Sequence, residues 1–143
     1  MLDRYLRESA GQDIKRRVAQ CYVAHEPDSA TIAGYYTLSA GSIALRDMPD
    51  DLVHKLPRYP LVPVARLGRL AVDKAFQGRR LGAALLRDAA SRALRSELGV
   101  FALAVDAKDE EAIAFYRHFG FSAFQSQPDK LFMPLAVIAK IVR

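Results

Sequence analysis

The chemistry-bearing residues of this sequence concentrate between Asp73 and Leu86. There Gln77, Gly78, Arg79, Arg80 and Gly82 join an apolar, strand-like run ending at Val72 to the helix-like run Leu81-Gly82-Ala83-Ala84-Leu85-Leu86. A turn of this kind suits an anion. The first N–H groups of a helix have no partner within it, the aligned peptide dipoles leave about half a positive charge at that end, and glycines let a diphosphate approach the main chain. Arg79 and Arg80 add guanidinium forks that match phosphate oxygens. The same spacing also fits a plain strand-to-helix connection with surface arginines. It is neither a Walker loop, since no Lys-Ser or Lys-Thr follows the glycines, nor a dinucleotide fingerprint. Cys21 is the only cysteine, and His25, His54 and His118 are scattered, so no Cys/His metal spacing exists.

The elements that must position this turn follow from length and pattern. With 143 residues, 51% of them hydrophobic, the chain builds one sizeable core, and we expect a single domain over 1–143. The 26% charged content excludes a disordered composition, and the net charge of +5 favours an anionic partner without naming one. No apolar run is long enough to span a membrane and the first residues lack a signal core, which predicts a cytoplasmic protein. Helical spacing of Leu2, Leu6, Ile14 and Val18 predicts an amphipathic helix over 2–17, interrupted at Gly11. Residues 18–26 and 31–45 read as an antiparallel hairpin, Pro49-Asp50-Asp51 as the start of a short helix, and 64–73 as a central strand. A long helix is expected over 76–99, stopped at Gly99, with Leu81, Ala84, Leu85, Ala89 and Ala93 facing the core. A buried strand over 100–107, a helix over 109–120 and two last strands, Phe121–Phe124 and Leu131–Lys140, complete the order. The strand-helix-strand unit around residue 80 requires a parallel pair within a mixed, mostly antiparallel α/β sheet.

Two ordered blocks carry a resemblance. Gln77-Gly78-Arg79-Arg80-Leu81-Gly82 resembles the acetyl-CoA loop Gln/Arg-x-x-Gly-x-Gly/Ala of the GNAT N-acetyltransferases, with Arg80 at the motif's first glycine. Ala112-Ile113-Ala114-Phe115-Tyr116-Arg117-His118-Phe119-Gly120-Phe121 resembles the family's A-x-x-F-Y-x-x-x-G-F segment. The phrases Ala33–Ser39, Lys55–Pro60, Arg66–Asp73 and Leu131–Leu135 look like the TacT- and AtaT-type toxins of type II toxin–antitoxin modules. The resemblance implies the GNAT fold, with the family's N-terminal strand missing because this chain starts almost at the first helix. It also implies acetyl-CoA as co-substrate, the α-amino group of charged tRNA as acceptor, a ribbon–helix–helix antitoxin and a homodimer.

The same resemblance implies roles for residues. Leu70, Ala71 and Val72 align the pantetheine and polarise the thioester through their main chain. Gln77, Gly78, Arg79, Arg80, Leu81, Gly82, Ala83 and Phe119 complete the cofactor site, and Tyr116 protonates the departing thiolate. No general base stands out, and an α-amine, with a pKa near about 8 rather than the 10.4 of lysine, is already partly neutral at physiological pH. His118, two residues past Tyr116, points to another helix face. For tRNA the candidates are Arg79, Arg80, Arg87 and Arg92, with Arg4, Arg7, Lys15, Arg16 and Arg17 of the first helix. Tyr35-Tyr36 and Arg58-Tyr59 are candidates to bracket its acceptor end by stacking. A GNAT acting on a small amine or a protein N-terminus, and a non-catalytic module binding nucleic acid or antitoxin, remain open alternatives.

Overall fold

The computed structural model describes residues 2–27, 31–54, 56, 58–125 and 127–142; Lys55 and Pro57 and the side chain of Arg7 lie outside the described residues. Two short helices, α1 (Leu2–Glu8) and α2 (Ala10–Lys15), lead into the hairpin β1 (Gln20–His25) and β2 (Ile32–Ala44). After α3 (Asp50–Val53) come β3 (Leu61–Val72), α4 (Leu81–Leu94), β4 (Ala102–Asp106) and α5 (Glu110–His118). The chain finishes with β5 (Ser122–Ala123), β6 (Lys130–Pro134) and α6 (Leu135–Val142). The six strands form one sheet in the order β1-β2-β3-β4-β6-β5, antiparallel except for the β3–β4 pair. The mixed sheet and its parallel crossover pair are as the sequence requires. Among the described residues no helix is long and apolar enough to cross a membrane.

Strand alternation sorts the side chains onto two faces. Tyr36, Leu67, Leu103, Val105, Leu131 and Met133 pack under Leu85, Leu86, Ala89, Ala90 and Ala93 of α4, Tyr116 of α5 and Ile138 of α6. The other face carries two separate apolar patches. Tyr35 meets Tyr5 and Ala10 of α1 and α2, while Val64, Ala102, Ala104 and Phe132 lie under Met48 with Leu52 and Val53 of α3.

Four boundaries differ from the sequence expectation. The first helix breaks at Ser9, which has φ −127°, two residues before Gly11, and it ends at Lys15. The Ser9 hydroxyl makes no capping bond; the main chain carries the junction, with Ser9 N–H donating to the Tyr5 carbonyl at 2.9 Å and Asp13 N–H to the Ser9 carbonyl at 3.0 Å. The long helix starts at Leu81, since Gly78 and Arg80 hold positive φ and cannot belong to it. It ends at Leu94, and Leu98 N–H then donates to the Ser96 hydroxyl in a local turn, so Gly99 is not its stop. Its buried stripe uses Leu86 and Ala90, while Ala84 is exposed. Finally, Leu131–Lys140 is not one strand. Pro134 offers no N–H for further pairing, and the apolar run beyond it, whose periodicity suits either element, forms α6 with Ile138 buried.

Candidate active site

The parallel ladder of β3 and β4 ends at the Leu67–Val105 pair, yet β3 continues to Val72. Beyond that point the strands splay, and one edge of residues 68–72 loses its strand neighbour. The splay coincides with a bulge. Leu38 pairs with Leu67 and Tyr36 with Leu70, so Thr37 alone opposes both Gly68 and Arg69. The buried Thr37 hydroxyl accepts a hydrogen bond from the Arg69 N–H at 3.0 Å, which satisfies a main-chain donor that the bulge removes from the ladder. A Cβ on Gly68 would lie 2.8 Å from that hydroxyl oxygen, so the latch needs glycine there.

The splay opens a cleft of about 900 Å³ lined by Tyr35, Leu67–Lys74, Gln77, Asp106–Lys108, Ala112 and Tyr116. Leu70, Ala71 and Val72 are thus in the cleft wall, where their backbone can act. At its end Asp73 accepts from Ala75 N–H at 2.9 Å and fixes the turn, and the Gln77 amide donates to the Val72 carbonyl at 3.4 Å. Gly78 takes φ +84° and Arg80 takes φ 59°, ψ 25°. Arg80 therefore adopts the left-handed conformation that glycine occupies freely, and the loop keeps its path despite the side chain, at a cost of about 1–2 kcal/mol. No side chain caps α4, and its first intrahelical bond runs from Ala84 N–H to the Arg80 carbonyl at 3.1 Å. The amides of Leu81, Gly82 and Ala83 are left facing outward at the positive helix end. Exposed Arg80 stands beside them, and the Arg79 guanidinium lies 5.3 Å from the centre of the Phe76 ring. Such an arrangement has the charge and the free donors to receive a diphosphate.

Tyr116 sits where α5 meets the cleft. Its ring packs edge-on against Phe115 and Phe121 at 5.1 and 5.4 Å, and only 8% of the residue is exposed. Its hydroxyl makes no side-chain hydrogen bond among the described residues and is not sealed from solvent, so it faces the cleft that the residue lines. Burial pushes its pKa up to about 12, which keeps the phenol protonated across the physiological range.

Not every residue singled out from sequence joins this cleft. Ala83 and Phe119 line a separate apolar groove of about 350 Å³ with Ala84, Arg87 and Met133, on the flank of α4. Arg87 is exposed there, whereas Arg92 is engaged with Asp88 at 3.1 Å and lies 4.0 Å over the Tyr22 ring. Arg4 pairs with Glu8 at 3.1 Å, and Lys15, Arg16 and Arg17 are exposed. Of the Tyr35-Tyr36 pair, Tyr35 lines the cleft and Tyr36 is withdrawn from it. Tyr35 is stacked on Tyr5, and Tyr36 is fully buried beneath Tyr22 with its hydroxyl donating to Asp88 at 2.5 Å. Arg58 and Tyr59 remain exposed. His118 is exposed and packs edge-on against Phe119. Sequence reasoning missed Thr37 and Arg69. The only available signal was a Gly-Arg pair interrupting the apolar alternation of β3.

A groove with an amide cradle at one end, a bare strand edge along its wall and a protonated phenol at its waist suits transfer of an acyl group from a phosphate-bearing thioester. The chain belongs to the acetyltransferase (GNAT) family, whose model matches residues 4–121. It is 39% identical over 129 residues to the tRNA-acetylating toxin of Mycobacterium tuberculosis (strain ATCC 25618 / H37Rv), a match covering 89% of this chain and 75% of that one. It is similar in structure to AtaT complexed with acetyl-methionyl-tRNAfMet, with TM-score 0.90, 26% identity, and 99% and 86% of the two chains covered. A tyrosine-to-phenylalanine mutant of AtaT bound to the C-terminus of the antitoxin AtaR superposes with TM-score 0.79 at 25% identity, covering 98% and 82%.

Proposed function

We propose that this acetyltransferase moves the acetyl group of acetyl-CoA onto the α-amino group of the amino acid carried by charged tRNA, and so blocks translation as a toxin. The observation that carries the reading is the 39% identity, over 89% of the chain, with a tRNA-acetylating toxin. The cleft supports it. Arg79, Arg80 and the first amides of α4, with Gln77 and Gly78 shaping the turn, hold the diphosphate, with Leu81 and Gly82 in the first turn of that helix, while Ala83 and Phe119 meet the rest of the carrier from the neighbouring apolar groove. The free edge of Leu70, Ala71 and Val72 aligns the pantetheine and donates toward the thioester oxygen as charge develops there. The acceptor nitrogen forms the new C–N bond, the C–S bond breaks, Tyr116 gives its proton to the sulfur, and water takes the proton lost by the amine. No dedicated base is needed, because an α-amine titrates near about 8.

Arg79, Arg80, Arg87 and Arg92 are the long-helix candidates for tRNA phosphates, with Arg92 the least free because of Asp88. The same reading includes work in the cytoplasm, neutralisation by a ribbon–helix–helix antitoxin and assembly as a homodimer. Incubation with charged tRNA and labelled acetyl-CoA tests the core of it: label is expected on the aminoacyl moiety of at least one tRNA. Absence of label from every charged tRNA, with label on a free amine or protein N-terminus instead, overturns it.

A further inference from the structure

On the face opposite α4, the two apolar patches leave a polar strip between them, and it opens into the same cleft. Strand alternation places Arg66, Asp106 and Lys130 there, and the bulge opposite Thr37 adds Arg69. Arg66 and Lys130 are both committed, to the two oxygens of Asp106 at 2.7 and 3.3 Å. Arg69 is different. It is exposed, lines the cleft and has no carboxylate partner among the described residues.

Its guanidinium is nevertheless held. It lies 4.2 Å from the centre of the Tyr5 ring, Tyr5 is stacked on Tyr35 at 5.7 Å with the rings 7° from parallel, and the Tyr5 hydroxyl donates to Asp13 at 2.6 Å. The Thr37 latch fixes the Arg69 backbone at 3.0 Å. Arg69 is also within hydrogen-bonding reach of the Tyr35 hydroxyl, and the guanidinium N–H groups beyond that contact lie in the plane stacked on Tyr5, available to an outside acceptor. Among the described residues, the strip thus holds an oriented cation with no carboxylate partner beside the bare strand edge, and the ring that fixes it sets it apart from Lys74 and Lys108, which line the cleft with neither ion pair nor ring contact. We infer that Arg69 is the acceptor-side anchor, pairing with a phosphate of the single-stranded aminoacyl end of tRNA so that the α-amine reaches the cleft. This rests on the charged-tRNA reading above and adds a residue and a ligand group to it.

The test compares wild type, Arg69→Gln and Arg69→Lys on charged tRNA and on 3′-O-aminoacyl-adenosine, which offers the same amine without a phosphate. On charged tRNA, Arg69→Gln is expected to raise KM about tenfold or more with a smaller change in kcat. The loss on charged tRNA is expected to exceed that on the nucleoside ester by about tenfold, and Arg69→Lys to recover part of the difference. The slope of log KM against log salt is expected to fall by about 0.7, the contribution of one single-strand phosphate contact. Equal losses on both substrates, an unchanged salt slope, or full activity of Arg69→Gln on charged tRNA overturn the assignment while leaving the substrate reading intact. A wild-type enzyme that labels no charged tRNA overturns the substrate reading and this assignment with it.

Discussion

Replacing Tyr116 by Phe removes one oxygen and nothing else that the fold uses. The ring contacts with Phe115 and Phe121 persist, and no hydrogen bond among the described residues is lost. Stability at pH 7 is therefore expected to match wild type within about 0.5 kcal/mol, read as a denaturant midpoint. Activity is not. A positioned proton donor contributes about 10² to 10⁴ in rate, so kcat for labelled acetyl transfer is expected to fall at least about 10²-fold. The pH dependence follows from burial, which moves the phenol pKa from 10.0 up to about 12, a penalty of order 3 kcal/mol on the phenolate. The wild-type rate is expected to climb as the acceptor amine deprotonates near about 8 and to stay level past 10, where a solvated phenol begins to ionise. Because the folded pKa lies above the unfolded one, the wild-type fold holds this contribution in full below pH 10.0 and loses it as pH rises toward about 12. Phe at this position has no such loss. A variant whose kcat stays within about threefold of wild type refutes the donor role, and a wild-type rate halved by pH 10 refutes the argument from burial.

Three further outcomes follow from local geometry. Arg80→Gly relieves a left-handed residue at φ 59° and, after the entropy cost of glycine, is expected to gain about 0.5–1 kcal/mol, raising Tm by about 2 °C, measured by thermal melting. Thr37→Val leaves the Arg69 N–H of the bulge without its acceptor and is expected to cost about 1–3 kcal/mol in a urea titration. At Asp88, partial burial raises the carboxyl pKa, but hydrogen bonds from Tyr36 and Arg92 outweigh it and leave the group below its usual value. A depressed folded pKa means stabilisation present above about 4 and lost as pH falls, so Asp88→Asn is expected to flatten the acid limb of a stability-against-pH curve.

The parts of the fold that sequence makes legible are those where one element satisfies one rule. Val105 and its neighbours could only be a buried strand, and the glycines before Leu81 mark a turn whichever way the helix begins. The helix start itself was hidden, because Arg80 takes a conformation that its side chain does not advertise. Leu131–Lys140 was ambiguous because an unbroken apolar run suits a buried helix and a buried strand alike; packing of Ile138 decides the matter only once α4 is in place. Tyr116 is indistinguishable by type from the packed aromatics around it, and its place in the site came from resemblance. Arg69 and Thr37 were illegible for another reason. Their relation depends on which residue of β2 faces which residue of β3, and pairing register is a property of two strands that neither strand's own sequence contains.

The double step of β3 opposite Thr37 also decides which side of the sheet the additional residue serves. Leu67 and Leu70 both look toward α4 although three positions separate them, which an unbroken alternation forbids. Removing one residue between them would leave two positions, which plain alternation already sets on one face, so Leu70 and Val72 would keep their orientation while the bond to the Thr37 hydroxyl was lost. The core beneath α4 is indifferent to that residue. Its effect falls on the reverse side, where it sets the Arg69 side chain over the Tyr5 ring.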